Sequence, residues 1–290
     1  MINRKALGVF LSATFGLTFI MIFLAKAKGF VLYDKPSIYS QLIVASCMFF
    51  PAIGALAAQI FVVKKPLKEL GFQFGPWKMY VISYFSILLL FALNYGIVWL
   101  FFLKPDWTLF AFINQYADSF KDLSLPFPAP YMILLLTFVT FFTAPILNMI
   151  PSLGEEIGWR GFLLPTLEPA GKIKAMIISG IIWALWHSPM ILLLGFGYGK
   201  QAWPGVLLHF VMITSLGIWM GYIWLSTRST ILAAFIHSVI NAHAYGVWTV
   251  LFVSENKLLI GPVGIIGASL CLFLGIATLL IARQRQRSRV

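Results

Sequence analysis

Charge is scarce in this chain. Charged residues are 10% of its 290 residues and hydrophobic residues 60%, whereas a soluble domain carries about a quarter charged residues. A water-soluble fold is excluded, because it could not hide so much apolar surface. Cysteine is almost missing too. Cys47 and Cys271 each sit inside an apolar run, so no disulfide framework or cysteine-rich metal motif can form, and both read as packing residues. Acids number nine, and none of the aspartates falls in an apolar run. A pair of membrane aspartates, as an aspartyl intramembrane protease needs, is therefore excluded. So is the zinc-protease helix motif His-Glu-x-x-His, which occurs nowhere. Long linkers, repeats and low-complexity tracts are also absent, so residues 1–290 read as a single polytopic membrane domain.

Long apolar runs are what the chain has instead. Eight can be drawn, at 6–25, 38–63, 79–103, 131–153, 173–195, 204–225, 230–253 and 258–282, each near the roughly 20 residues that cross a bilayer as a helix. None alternates as an outer-membrane strand would. The expected fold class is therefore an all-α integral membrane protein, a bundle of about eight transmembrane helices. The first run follows Arg4-Lys5 and ends at a weak Ala25-Lys26-Ala27 cleavage pattern, so it reads as a retained span. The connection 104–130, with Pro105, Pro126, Pro128 and Pro130, reads as a surface loop with a short interfacial helix.

The basic residues give an orientation. With the N-terminus inside, the inner segments hold fourteen Lys and Arg, including Arg283, Arg285, Arg287 and Arg289, against seven outside. That bias predicts both termini in the cytoplasm; the expected location is a bacterial plasma membrane. The net charge of +12 is then a topology signal rather than a nucleic-acid surface. The tail arginines can also touch anionic lipid.

Asp34, Glu69, Asp106, Asp118, Asp122, Glu168 and Glu255 all fall in loops, leaving Glu155 and Glu156 as the acids of the spans. Ionisable groups in a membrane are read as functional by default. Adjacent helical residues point about 100° apart, so the two carboxylates face differently. Glu156 and Arg160 are four apart with the acid first, the favoured order for a pair. That predicts a supporting Glu156–Arg160 pair and a chemically free Glu155; a single ion-pair anchor of all three is the competing reading. Trp183 and His187 share a helix face, as do His237 and Asn241, and the latter pair offers two polar groups at one point, suited to holding an oxyanion. Depth along the helices lets Glu155, His187 and His237 meet in the cytoplasmic half of the bilayer. His209 and His243 read as structural. Gly154 and Gly158 predict a close helix approach.

Glu-Glu-x-x-x-Arg at 155–160, aromatic-x-x-x-His at 183–187 and His-x-x-x-Asn at 237–241, in that order, resemble the CAAX protease and bacteriocin-processing family, the type II CAAX prenyl endopeptidases and their Abi relatives. The segment from Gly217 and Gly221 through Thr227-Arg228-Ser229 to His237 is similar as well, and the resemblance covers about residues 130–245. Trp183 departs from it, since phenylalanine is common at that position. The resemblance implies an intramembrane endopeptidase acting on a membrane-associated or prenylated protein or peptide. In it Glu155 and His187 activate water, His237 and Asn241 stabilise the oxyanion, and Glu156 and Arg160 support the site. No cofactor is favoured. The alternatives are a zinc-dependent form, with Glu155, His187 and His237 as ligands, a non-catalytic peptide-binding or immunity protein, and a proton-coupled transporter. Ser152, Ser188 and Ser238 lack the glycine turn a serine nucleophile needs.

Overall fold

The computed structural model describes residues 1–32, 38–116 and 127–288. Asp34, Lys35, Asp118, Lys121, Asp122, Pro126 and Arg289 lie outside the described residues. Every regular element among the described residues is helical. Eight of these helices are long and apolar enough to cross a membrane: Arg4–Ala27, Tyr39–Val63, Trp77–Phe101, Ala129–Leu147, Lys172–Leu194, Gly199–Thr227, Thr230–Leu251 and Ile265–Arg287. They correspond one to one with the eight apolar runs, and the protein is an integral membrane bundle.

Helix α1 (Arg4–Ala27) starts at Asn3, whose side chain accepts from the Ala6 N–H at 3.0 Å. Its buried residues Ala6, Phe10, Thr14, Thr18 and Ile22 recur every four positions, forming one stripe that faces the protein while the rest faces lipid. Phe10 meets Trp159 edge-on at 5.7 Å, and the Trp186 indole donates to Thr18 Oγ1 at 2.7 Å. Helix α2 (Ile38–Ala57) continues into a wide π turn, Ala58–Val63. It is followed by α3 (Trp77–Phe101) and the short α4 (Phe110–Tyr116) in the long connection.

The fourth apolar run departs from expectation. Drawn as one span to Leu153, it instead holds α5 (Ala129–Phe138), a π turn and α6 (Ala144–Leu147), then breaks at Asn148. Pro145 and Pro151 flank the break; each lacks an N–H for the helical ladder. Beyond it, α7 (Met149–Glu156), a π turn at Ile157–Leu163 and α8 (Leu164–Leu167) run inside the protein. The two parts differ in surroundings. The first is lipid-like in its exposure, whereas Ser152, Gly154, Glu155, Glu156 and the whole 158–164 stretch are buried. Gly154 and Gly158 allow this: a Cβ would sit 2.7 Å from the Met48 carbonyl at Gly154 and 2.8 Å from the Pro51 carbonyl at Gly158. The expected close approach is made to α2.

Helices α9 (Lys172–Leu194) and α10 (Ala202–Thr227) cross closely at Gly180 and Gly217, where a Cβ on Gly217 would meet the Gly180 Cα at 2.7 Å. The seventh run, expected to be unbroken from 230 to 253, splits at Tyr245–Gly246 into α11 (Thr230–Ala244) and α12 (Val247–Leu251). The eighth, α13 (Ile265–Arg287), begins seven residues later than the apolar run, because Gly261, Pro262 and Gly264 interrupt the helix before it.

The start of α11 is tied down firmly. Ser229 caps it by accepting from the Leu232 N–H at 3.0 Å, while its hydroxyl donates to the Gln73 carbonyl at 2.6 Å. Thr230 donates its N–H to Gly71 O at 2.8 Å and its hydroxyl to Leu70 O at 2.6 Å. Arg228, left-handed at φ 55°, closes α10 and makes a bidentate pair with Glu168, both bonds 2.7 Å. Those hydrogen bonds hold the Glu168 carboxyl below its ordinary range. Its contribution to stability is therefore complete above the unfolded value of about 4.3 and is lost as pH falls through the lower folded value. With Arg228 41% exposed, about 1 kcal/mol at most is expected. Thermal unfolding in detergent should show Glu168→Gln less stable than wild type at neutral pH, with the gap closing in acid.

Candidate active site

The carboxylates separate as their spacing predicts. Glu155 Oε2 accepts two indole N–H bonds, from Trp159 at 3.0 Å and Trp183 at 2.8 Å. Glu156 Oε1 accepts from Arg160 Nη1 at 2.8 Å and lies 2.8 Å from His237 Nδ1. Glu156 thus does more than neutralise Arg160; it also orients a histidine from another helix. All three groups of the Glu156–Arg160–His237 cluster are buried.

Trp183 is the hub. Besides its bond to Glu155, its ring lies 4.1 Å from the Arg160 guanidinium carbon, and 5.4 Å and 5.9 Å centroid to centroid from His237 and His187. Its carbonyl is 2.9 Å from His187 Nδ1. A tryptophan where phenylalanine is common in the resembling family therefore supplies an N–H that phenylalanine lacks, aimed at Glu155.

These partners determine which ring nitrogens carry protons. A carbonyl only accepts, so His187 Nδ1 donates and its Nε2 holds a lone pair when the ring is neutral. A carboxylate also only accepts, so His237 Nδ1 donates to Glu156. Its Nε2 donates only when the ring is cationic. The chemistry available is therefore a carboxylate and an imidazole lone pair, with a second imidazole backed by a carboxylate.

Asn241 stands half-buried one turn beyond His237. His209, read from sequence as structural, packs its ring 4.8 Å from that of His187, and neither of its nitrogens has a partner among the described residues. His243 accepts from the Trp248 indole at 2.9 Å. The role of Trp159 escaped the sequence reading, although the same four-residue spacing that pairs Glu156 with Arg160 pairs Glu155 with Trp159. Among the described residues, no three His, Cys, Asp or Glu side chains gather closely enough to hold a metal ion. The oxygen of Glu155 that faces Trp183 is taken by two indoles. This donor arrangement does not fit the zinc ligand set.

Comparison with known proteins finds similarity over the stretch that holds the motifs. Residues 130–243 match the family model described as type II CAAX prenyl endopeptidase Rce1-like. The chain is also similar to a protein named CAAX prenyl protease 2 from Methanococcus maripaludis, with 36% identity over 93 residues, 30% of this chain and 34% of that protein. The matched segment thus spans about a third of the relative's length. The stretch holding all three motifs, residues 130–243, is thus similar to the Rce1-like type II CAAX prenyl endopeptidases.

Proposed function

We propose that this chain is an intramembrane endopeptidase that hydrolyses a peptide bond of a membrane-associated or prenylated protein or peptide. The observation that carries this reading is the gathering of Glu155, His187, His237 and Arg160, from three separate stretches of chain, around the single side chain of Trp183. An ion-pair anchor at a membrane edge would need no such gathering.

Glu155, with His187 Nε2 as a second acceptor, takes a proton from water as the water oxygen bonds to the scissile carbonyl carbon. Negative charge moves to the carbonyl oxygen. His237, cationic on the Glu156 carboxylate, and the Asn241 amide stabilise that oxyanion. The tetrahedral intermediate then breaks its C–N bond, and the proton held by Glu155 passes to the leaving nitrogen. Glu156, paired with Arg160, holds His237, and neither touches the substrate. The site lies in the plasma membrane and opens to its cytoplasmic half, with both termini cytoplasmic, as supported by the fourteen-to-seven distribution of Lys and Arg.

Purified protein in liposomes is expected to cleave a farnesylated CAAX peptide, and to do so undiminished after treatment with a zinc chelator. Loss of activity on chelation, restored by zinc, would favour the metal-dependent alternative. Native substrates are found by comparing membrane proteomes of cells carrying wild-type and Glu155→Ala protein.

A further inference from the structure

Helix α11 presents a third polar side chain in register with His237 and Asn241. Tyr245 lies one more turn along, and its N–H still bonds the Asn241 carbonyl at 3.2 Å. The last turn is therefore helical, and positions 237, 241 and 245 form one stripe. The neighbours of that stripe, Ile236, Val239, Ala242 and His243, are buried, whereas Tyr245 is 64% exposed. The chain turns away directly after it, at Gly246.

Tyr245 is nonetheless not a stray surface residue. Its ring faces Phe196, with centroids 6.4 Å apart at 48°. Phe196 directly follows Gly195, whose left-handed conformation at φ 73° ends α9. The helices that carry His187 and His237 thus end in two aromatic rings that meet. The Tyr245 hydroxyl has no hydrogen-bond partner among the described residues.

The site has a use for such a group. His237 gives its Nδ1 proton to Glu156, so as a cation it offers the substrate a single donor, Nε2–H. With the Asn241 amide that makes two donors, facing an oxyanion that can accept three bonds. Resting on the endopeptidase reading above, we propose that the Tyr245 hydroxyl is a catalytic donor, bonding the carbonyl oxygen of the scissile peptide and strengthening that bond as the oxygen becomes an oxyanion. The phenol keeps its proton throughout. A largely exposed side chain suits this role, because it must be able to meet the incoming peptide.

Tyr245→Phe deletes the hydroxyl and keeps the ring against Phe196. With a farnesylated CAAX peptide in liposomes, kcat should fall about 10²-fold with KM changed by less than about two-fold, as for loss of one oxyanion donor. A peptide analogue with a phosphinate in place of the scissile amide should lose affinity by a similar factor, while the uncleaved peptide, measured on a Glu155→Gln background, should not. Wild-type rates and unchanged phosphinate binding in Tyr245→Phe would overturn the assignment and leave the endopeptidase reading standing. Equal loss of affinity for phosphinate and peptide would also overturn it, marking Tyr245 as a general binding contact. A wild-type protein that neither cleaves the peptide nor binds the phosphinate would overturn both.

Discussion

Glutamine in place of Glu155 is expected to lower peptide cleavage by at least about 10³-fold, the scale of losing a positioned general base, while the protein stays folded. The choice of glutamine follows from the geometry. Glu155 Oε2 accepts from both Trp159 and Trp183, and a glutamine carbonyl oxygen can accept both bonds as well. Alanine would also remove the base, but it would leave two buried indole N–H groups without an acceptor, at about 1–3 kcal/mol each. Glu155→Gln therefore separates chemistry from stability more cleanly. Cleavage by the glutamine variant within ten-fold of wild type would remove Glu155 from the mechanism.

Arg160→Met is expected to have the largest effect on stability, about 3–5 kcal/mol, the cost of removing one partner of a buried ion pair. Glu156 is fully buried beside it, and the loss of Arg160 leaves that charge with only His237 to compensate it. The pair is not a perfectly satisfied one. Glu156 Oε2 and Arg160 Nε have no partner among the described residues. A double variant, Glu156→Gln with Arg160→Met, should therefore be more stable than Arg160→Met alone, since no charge is stranded. Its activity should stay low, because His237 has lost the carboxylate that orients it. Chemical or thermal unfolding of the three proteins in the same detergent reads this directly. A double variant as unstable as the single one would show that packing of the long Arg160 side chain against Trp183 and Met220, not charge, governs its cost.

The cluster also explains why a membrane protein keeps two adjacent carboxylates. Glu155 and Glu156 point in different directions from one helical turn, so one can be held by neutral indoles and the other by a cation. Trp159 and Arg160 follow at the same spacing and reach back to them. The π turn at Ile157–Leu163 begins directly after the acids, a widening of the helix often found at functional sites.

Length and local spacing were enough to read the spans and the local pairs. The eight apolar runs could only become helices, because a membrane leaves backbone polar groups no other partner. The Glu156–Arg160 and Gly154–Gly158 relations follow from the 3.6-residue period alone. Tertiary structure decided what the period does not encode. It broke the fourth run at Asn148, where exposed residues give way to buried ones, and the seventh at Tyr245–Gly246. It brought Trp183 to Glu155 across 28 positions and His237 to Glu156 across 81. Such pairings depend on which helix faces which, and that is set by the close approaches at Gly154, Gly158, Gly180 and Gly217, not by any residue's immediate neighbours in the chain.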